Sequence, residues 1–355
     1  MDIQKKFNEK LSKLLFLELK KGHNLGEYEI KENIYVPIKA ESIVDRVNHG
    51  EKAKEIPISF FIEGIIFVLG ADPLFKYKKE YLNILNNINN SIDFIKNKIF
   101  NEIKEHRYED AYIFLKGLLN LESTEEVFDK CFLLLENLRK LDKEYLDEEL
   151  EIIEKAKKLP NFAEPYLYDS IVSRDKEEFS KALVSIHTYL ELGGKETKEI
   201  SEFKENLINI NQYNKGKELA FSEPENALKH LLPLIDYFGD SANIYYYIAL
   251  CYRVLGNFEK AIYYLNEASV FDEALLEVMN EYGINYASLG DFKKATLYFE
   301  KAFETSKSIE ICTNIVMCYL NLNDLENAKK FMEEAIKIDK DDEIVNELKV
   351  YFKDL

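Results

Sequence analysis

The residues able to do chemistry are few and scattered. Gly193-Gly194-Lys195-Glu196 is the nearest approach to a phosphate cradle, but it lacks both the earlier Gly and the Ser or Thr that would meet magnesium. Neither G-x-G-x-x-G nor G-x-S-x-G occurs. The histidines, His23, His49, His106, His187 and His230, lie far apart, and no pair shares an i, i+4 face with a Glu as a hydrolytic zinc site requires. Asp339, Asp341, Asp342 and Glu343 lack the loop Gly and distal bidentate Glu of a calcium loop; they suit a helix start, where the dipole favours carboxylates. Cys131, Cys251, Cys312 and Cys318 form no Cys-x-x-Cys pair and have no His or cationic cluster beside them to depress a thiol. They read as small buried residues of a chain in a reducing, cytoplasmic setting. The expectation is therefore no catalysis, no metal and no cofactor. The rival is an enzyme or accessory subunit with a site in residues 1–95, for which Glu63 is a candidate without a matched acid or base.

What the sequence does carry is a period. Tyr252, Tyr286 and Tyr319 are spaced by 34 and 33 residues, and so are Ala261, Ala295 and Ala328, and again Ala268, Ala302 and Ala335. Each unit offers a helix, a two-residue turn and a second helix. The turns are Gly256-Asn257, Gly290-Asp291 and Asn323-Asp324. In each, the first residue can take the left-handed conformation that ends a helix, and the second can cap the next. Small residues, Ala249 and Gly283 and the two alanine columns, fall where antiparallel helices must approach closely; Leu265, Phe299 and Met332 fill the space beside them.

Over residues 242–340 this pattern resembles the tetratricopeptide repeat (TPR) family, through Tyr245, Ile248, Ala249, Tyr252, Ala261, Leu265 and Ala268 and their equivalents in the next two units. The family's closing Pro is replaced by Glu273, Lys307 and Lys340. The resemblance implies a mainly all-α fold, an α-solenoid of antiparallel helix pairs forming a TPR-like superhelix. It also implies a concave groove lined by first helices, here Asn243, Tyr246, Leu250 and Arg253, then Glu277, Asn280, Ile284 and Ala287, then Glu310, Thr313, Met317 and Leu320. Such a groove suits a helix or extended peptide. The family's cationic clamp for a chaperone C-terminal carboxylate is not expected, because its positions hold Tyr246, Leu250, Glu281, Glu310 and Asn314.

Upstream, Tyr108, Phe179 and Pro224 open segments that copy the start of a second helix at Phe258, so divergent helical hairpins are expected over 96–240, with Gly193-Gly194 as a break. Asp341 to Phe352 reads as a C-terminal capping helix over 341–355 presenting Ile344, Val345, Leu348 and Phe352. Residues 1–95 lack the repeat and read as a small N-terminal domain or cap. There Ile3, Phe7, Leu11, Leu14 and Leu15 share a helical face, and Tyr28, Ile30, Ile34, Val36 and Ile38 alternate as strands do. Phe60 to Leu69 reads as a buried helix, and Asp72-Pro73 as the cap and first position of the next.

Across all 355 residues, 47 Lys and Arg against 65 Asp and Glu give a net charge of −18, which argues against nucleic acid as a partner. The first hundred residues are nearly neutral, with 16 basic against 14 acidic. No secretion signal or membrane span is expected. The function read from all this is a non-catalytic adaptor or scaffold that binds a protein or peptide. A peptide-sensing regulatory receptor is the alternative within the same fold.

Overall fold

The computed structural model describes residues 3–40, 56–272 and 275–353, so His49 and Glu273 lie outside the described residues. Two compact units divide the chain, Met1–Thr197 and Lys198–Leu355. The helices expected as one block over 96–240 are thus shared between the units, the division falling just after Gly193-Gly194.

The first unit opens with α1 (Ile3–Leu11) and then β1 (Leu14–Leu19), β2 (Asn24–Leu25), β3 (Tyr28–Glu29) and β4 (Ile34–Lys39). β1 pairs antiparallel with β4, Leu14 opposite Lys39 and Leu19 opposite Ile34, while β2 and β3 form a small ladder of their own. This corrects the helical reading of Leu14 and Leu15. The helix stops at Leu11, and Leu14 to Leu19 instead joins the alternating strand whose Ile34, Val36 and Ile38 are buried beneath an exposed Tyr35. A partner strand overrides a periodicity that only five residues supported.

Helix α2 (Ile58–Ala71) is buried almost throughout, from Phe61 to Ala71, as its apolar run predicts. It lies so close to β4 that a Cβ on Gly64 would stand 2.0 Å from the Pro37 carbonyl oxygen. Asp72 does not open the next helix. It closes α2, its amide bonding to Val68 O, and its carboxylate accepts from Leu74 N at 3.0 Å. The following α3 starts later, at Lys78, and runs to Asn86. Six more α-helices follow, α4 (Ser91–Lys104), α5 (Tyr108–Leu118), α6 (Glu125–Leu141), α7 (Leu146–Ala156), α8 (Glu164–Asp175) and α9 (Phe179–Glu191), with a short 3-10 turn at Lys143–Tyr145 before α7. Tyr108 and Phe179 begin helices as expected.

The second unit starts with α10 (Lys198–Leu219) and α11 (Pro224–Leu231), followed by a short helical turn at Ile235–Phe238. Three helix pairs follow: α12 (Ala242–Val254) with α13 (Phe258–Phe271), α14 (Leu276–Ser288) with α15 (Phe292–Ser306), and α16 (Ile309–Asn321) with α17 (Leu325–Ile338). The turns obey the predicted chemistry. Gly256, Gly290 and Asn323 have φ of +74°, +79° and +58°. The side chains of Asn257, Asp291 and Asp324 then accept from the amides of Lys260, Lys294 and Asn327 at 3.1–3.2 Å. All six column alanines are buried. Helix α18 (Glu343–Lys353) buries Val345 and Leu348 against the last pair, while Ile344 faces solvent.

Candidate functional site

Three first helices, α12, α14 and α16, carry the positions that the repeat pattern assigns to a binding groove. Between the last two is a hollow of about 300 Å³. Ile284 and Ala287 of α14 and Met317 of α16 supply its apolar wall, and Asn314 and Asn321 its amides. Met317 is 47% exposed, an unusual setting for a thioether that is not packed. The floor comes from the second helix of the middle repeat, Phe292 and Phe299. Sequence reasoning confined to first helices missed that floor, although Phe299 stood in a recognised packing column.

The other predicted residues are placed unevenly. Asn243 is exposed on α12, and Tyr246 is half-buried beside Tyr247, with ring centroids 5.0 Å apart; burial pushes the Tyr246 phenol up to about 12. Leu250 and Thr313 need correcting as groove contacts. Leu250 is 1% exposed and belongs to the core, and Thr313 is 4% exposed with its hydroxyl donating to Glu310 O at 2.9 Å. Position on a first helix does not by itself put a side chain in solvent, because neighbouring helices cover part of the same face.

Arg253 is not free either. Its Nε donates to Glu281 Oε2 at 2.6 Å, joining α12 to α14. Glu281 is buried, and that burial pushes its carboxyl above the ordinary range while Arg253 works against the rise. The pair cancels the charge of the one cation that the groove assignment contained. Beside it, Asn285 donates from Nδ2 to Glu281 O at 2.8 Å, and its Oδ1, like that of Asn280, is buried without a hydrogen-bond partner. The groove positions thus offer apolar contacts and amide groups, together with the exposed carboxylates of Glu277 and Glu310.

The described residues of the first unit include networks of ion pairs. Glu63 is buried between Lys39, at 3.3 Å, and Lys98, at 3.0 Å, and Lys98 also reaches Glu102 at 2.9 Å. Burial opposes ionisation of Glu102, but Arg107 and Lys98 together hold its carboxyl below the ordinary range. Both carboxylates are thus compensated by neighbouring cations. The four cysteines are free and buried, and burial pushes the thiols of Cys251, Cys312 and Cys318 up to about 11 and that of Cys131 further. Among the described residues, no group of three or more His, Cys, Asp or Glu could hold a metal ion, and no helix is long and apolar enough to cross a membrane.

Family models described as tetratricopeptide repeat match residues 276–308 and 309–342, and another of the same description matches 244–268. Among solved structures, YrrB, described as a TPR protein with an unusual peptide-binding site, is 20% identical over 57% of this chain and 97% of its own, with a TM-score of 0.35. MamA is 19% identical over 49% of this chain and 90% of its own, with a TM-score of 0.37. The C-terminal part of a TPR repeat-containing protein from Cytophaga hutchinsonii is 15% identical over 71% and 98%, with a TM-score of 0.40. No curated protein matches the chain in sequence.

Proposed function

We propose that this chain, a tetratricopeptide repeat protein through residues 244–342, is a non-catalytic interaction module that binds a segment of another protein along α12, α14 and α16. The observation that carries the reading is the hollow between α14 and α16, where an exposed Met317 and a half-buried Ile284 stand beside Asn314 and Asn321. An apolar anchor from a peptide would enter between the two aliphatic side chains, and the amides would meet its backbone. Because Arg253 is held by Glu281, the surface favours a ligand recognised by its apolar side chains over one recognised by a terminal carboxylate.

The test is peptide display on the full-length protein, followed by titration of the selected peptides against wild type and Met317→Glu. Met317 is exposed enough that the substitution leaves the fold intact. Selected peptides should share an apolar anchor and lose affinity by roughly tenfold or more in the variant, since a carboxylate would then face an apolar group. Selection of no peptide, or equal binding to both proteins, would overturn the assignment.

A further inference from the structure

A second cavity, of about 420 Å³, lies within the first unit, and we propose that it is a binding site for a small organic phosphate. Four lysines line it: Lys78 at the start of α3, Lys116 on α5, Lys155 in the last turn of α7 and Lys158 in the turn that follows it. No Asp or Glu is among its described lining residues, in a chain whose net charge is −18. Two of the ammonium groups are already spoken for. Lys116 is 6% exposed and held by Glu148 at 2.6 Å, and Lys155 is held by Glu151 at 2.5 Å. Lys78 and Lys158 have no ion-pair partner among the described residues.

Helix dipoles account for only part of this cluster. Lys155 and Lys158 sit where a cation complements a helix C-terminus, but Lys78 is the first residue of its helix, where a cation is unfavourable. The neutral groups narrow the chemistry further. Asn120 Nδ2 donates to the carbonyls of Lys116 and Gly117, and Ser123 Oγ donates to that of Leu119. The free donors are therefore ammonium groups, which act as point charges without the planar fork by which Arg grips a carboxylate. Charge spread over several tetrahedral oxygens suits them best. Leu69, Pro73 and Phe128 add an apolar wall, and the volume falls in the range of small-molecule sites, so the ligand has an apolar body as well as phosphate.

Isothermal titration of the full-length protein at low salt tests this with ATP free of magnesium, inorganic pyrophosphate, adenosine and citrate. ATP is expected to bind one per chain, pyrophosphate more weakly and adenosine not at all. The double variant Lys78→Ala, Lys158→Ala should weaken ATP by roughly tenfold or more without lowering the melting temperature in the absence of ligand, because neither lysine makes an ion pair among the described residues. Lys79→Ala, next in sequence but outside this cavity, should bind as wild type does. No heat with ATP or pyrophosphate at millimolar concentration would overturn the proposal, as would unchanged binding in the double variant. Citrate binding as tightly as ATP would overturn the assignment to phosphate.

Discussion

Arg253→Ala tests how the first two repeats are joined. The substitution removes the guanidinium that compensates Glu281, a carboxylate 4% exposed. Breaking a buried pair from one side costs ~3–5 kcal/mol. The Arg253 side chain is 21% exposed, so water relieves part of the penalty, and a local cost of about 2–3 kcal/mol is expected at pH 7.5. The cost must depend on pH. Burial already raises the Glu281 carboxyl in the folded protein, and removing Arg253 takes away the main influence lowering it, so it rises further. A group with a raised folded-state pKa binds protons more readily folded than unfolded, so the variant gains stability as pH falls toward that pKa. The penalty should therefore be smaller at pH 5 than at pH 7.5, and Arg253→Ala, Glu281→Gln should recover part of it at pH 7.5. Because the chain has two compact units, one global melting curve would mix them. Hydrogen exchange followed by mass spectrometry, on amides of residues 242–254 and 276–288, reads the local opening free energy directly. A cost under about 0.5 kcal/mol, the ordinary surface value, would refute the reasoning. So would an equal cost at both pH values.

Two further substitutions examine the repeat packing, and both are read by the same exchange measurement. Ala295→Trp places an indole at a fully buried helix crossing and should destabilise α14 and α15 by about 1–3 kcal/mol or more. Asn257→Ala removes the side-chain oxygen that accepts from Lys260 N at 3.2 Å, and should cost about 0.5–2 kcal/mol at the start of α13 while leaving α16 and α17 unchanged.

The repeats were legible because their physics is local. A left-handed Gly or Asn followed by a capping Asn or Asp needs no knowledge of tertiary structure, and alanines at a helix crossing declare themselves by phase. The same period carries one more column. Tyr264, Tyr298 and Phe331 recur at the same spacings as the column alanines, and each stacks on the first-helix tyrosine of its own repeat: Tyr252 on Tyr264 at 5.4 Å, Tyr286 on Tyr298 at 5.6 Å, Tyr319 on Phe331 at 5.9 Å. Where partners are distant, the sequence is mute. Nothing in Leu14 to Leu19 announces pairing with a strand some twenty residues on. Lys78, Lys116 and Lys155 acquire a common meaning only when α3, α5 and α7 bring them to one cavity.

The same distinction governs the groove. Residues assigned from repeat position alone divide into those that the core takes, Leu250 and Thr313, and those left open, Met317 among them. What separates them is how far the surrounding helices cover each position, since Thr313 and Met317 lie four residues apart on the same helix α16 and only Met317 is exposed. Arg253 shows the consequence for charge: a cation that the pattern would lend to a ligand is consumed by Glu281, 28 residues downstream. Periodicity gives the places where a ligand could be met. Which of them remain available is decided between repeats, by side chains whose identity the period leaves free, and that is where specificity within this fold has room to vary.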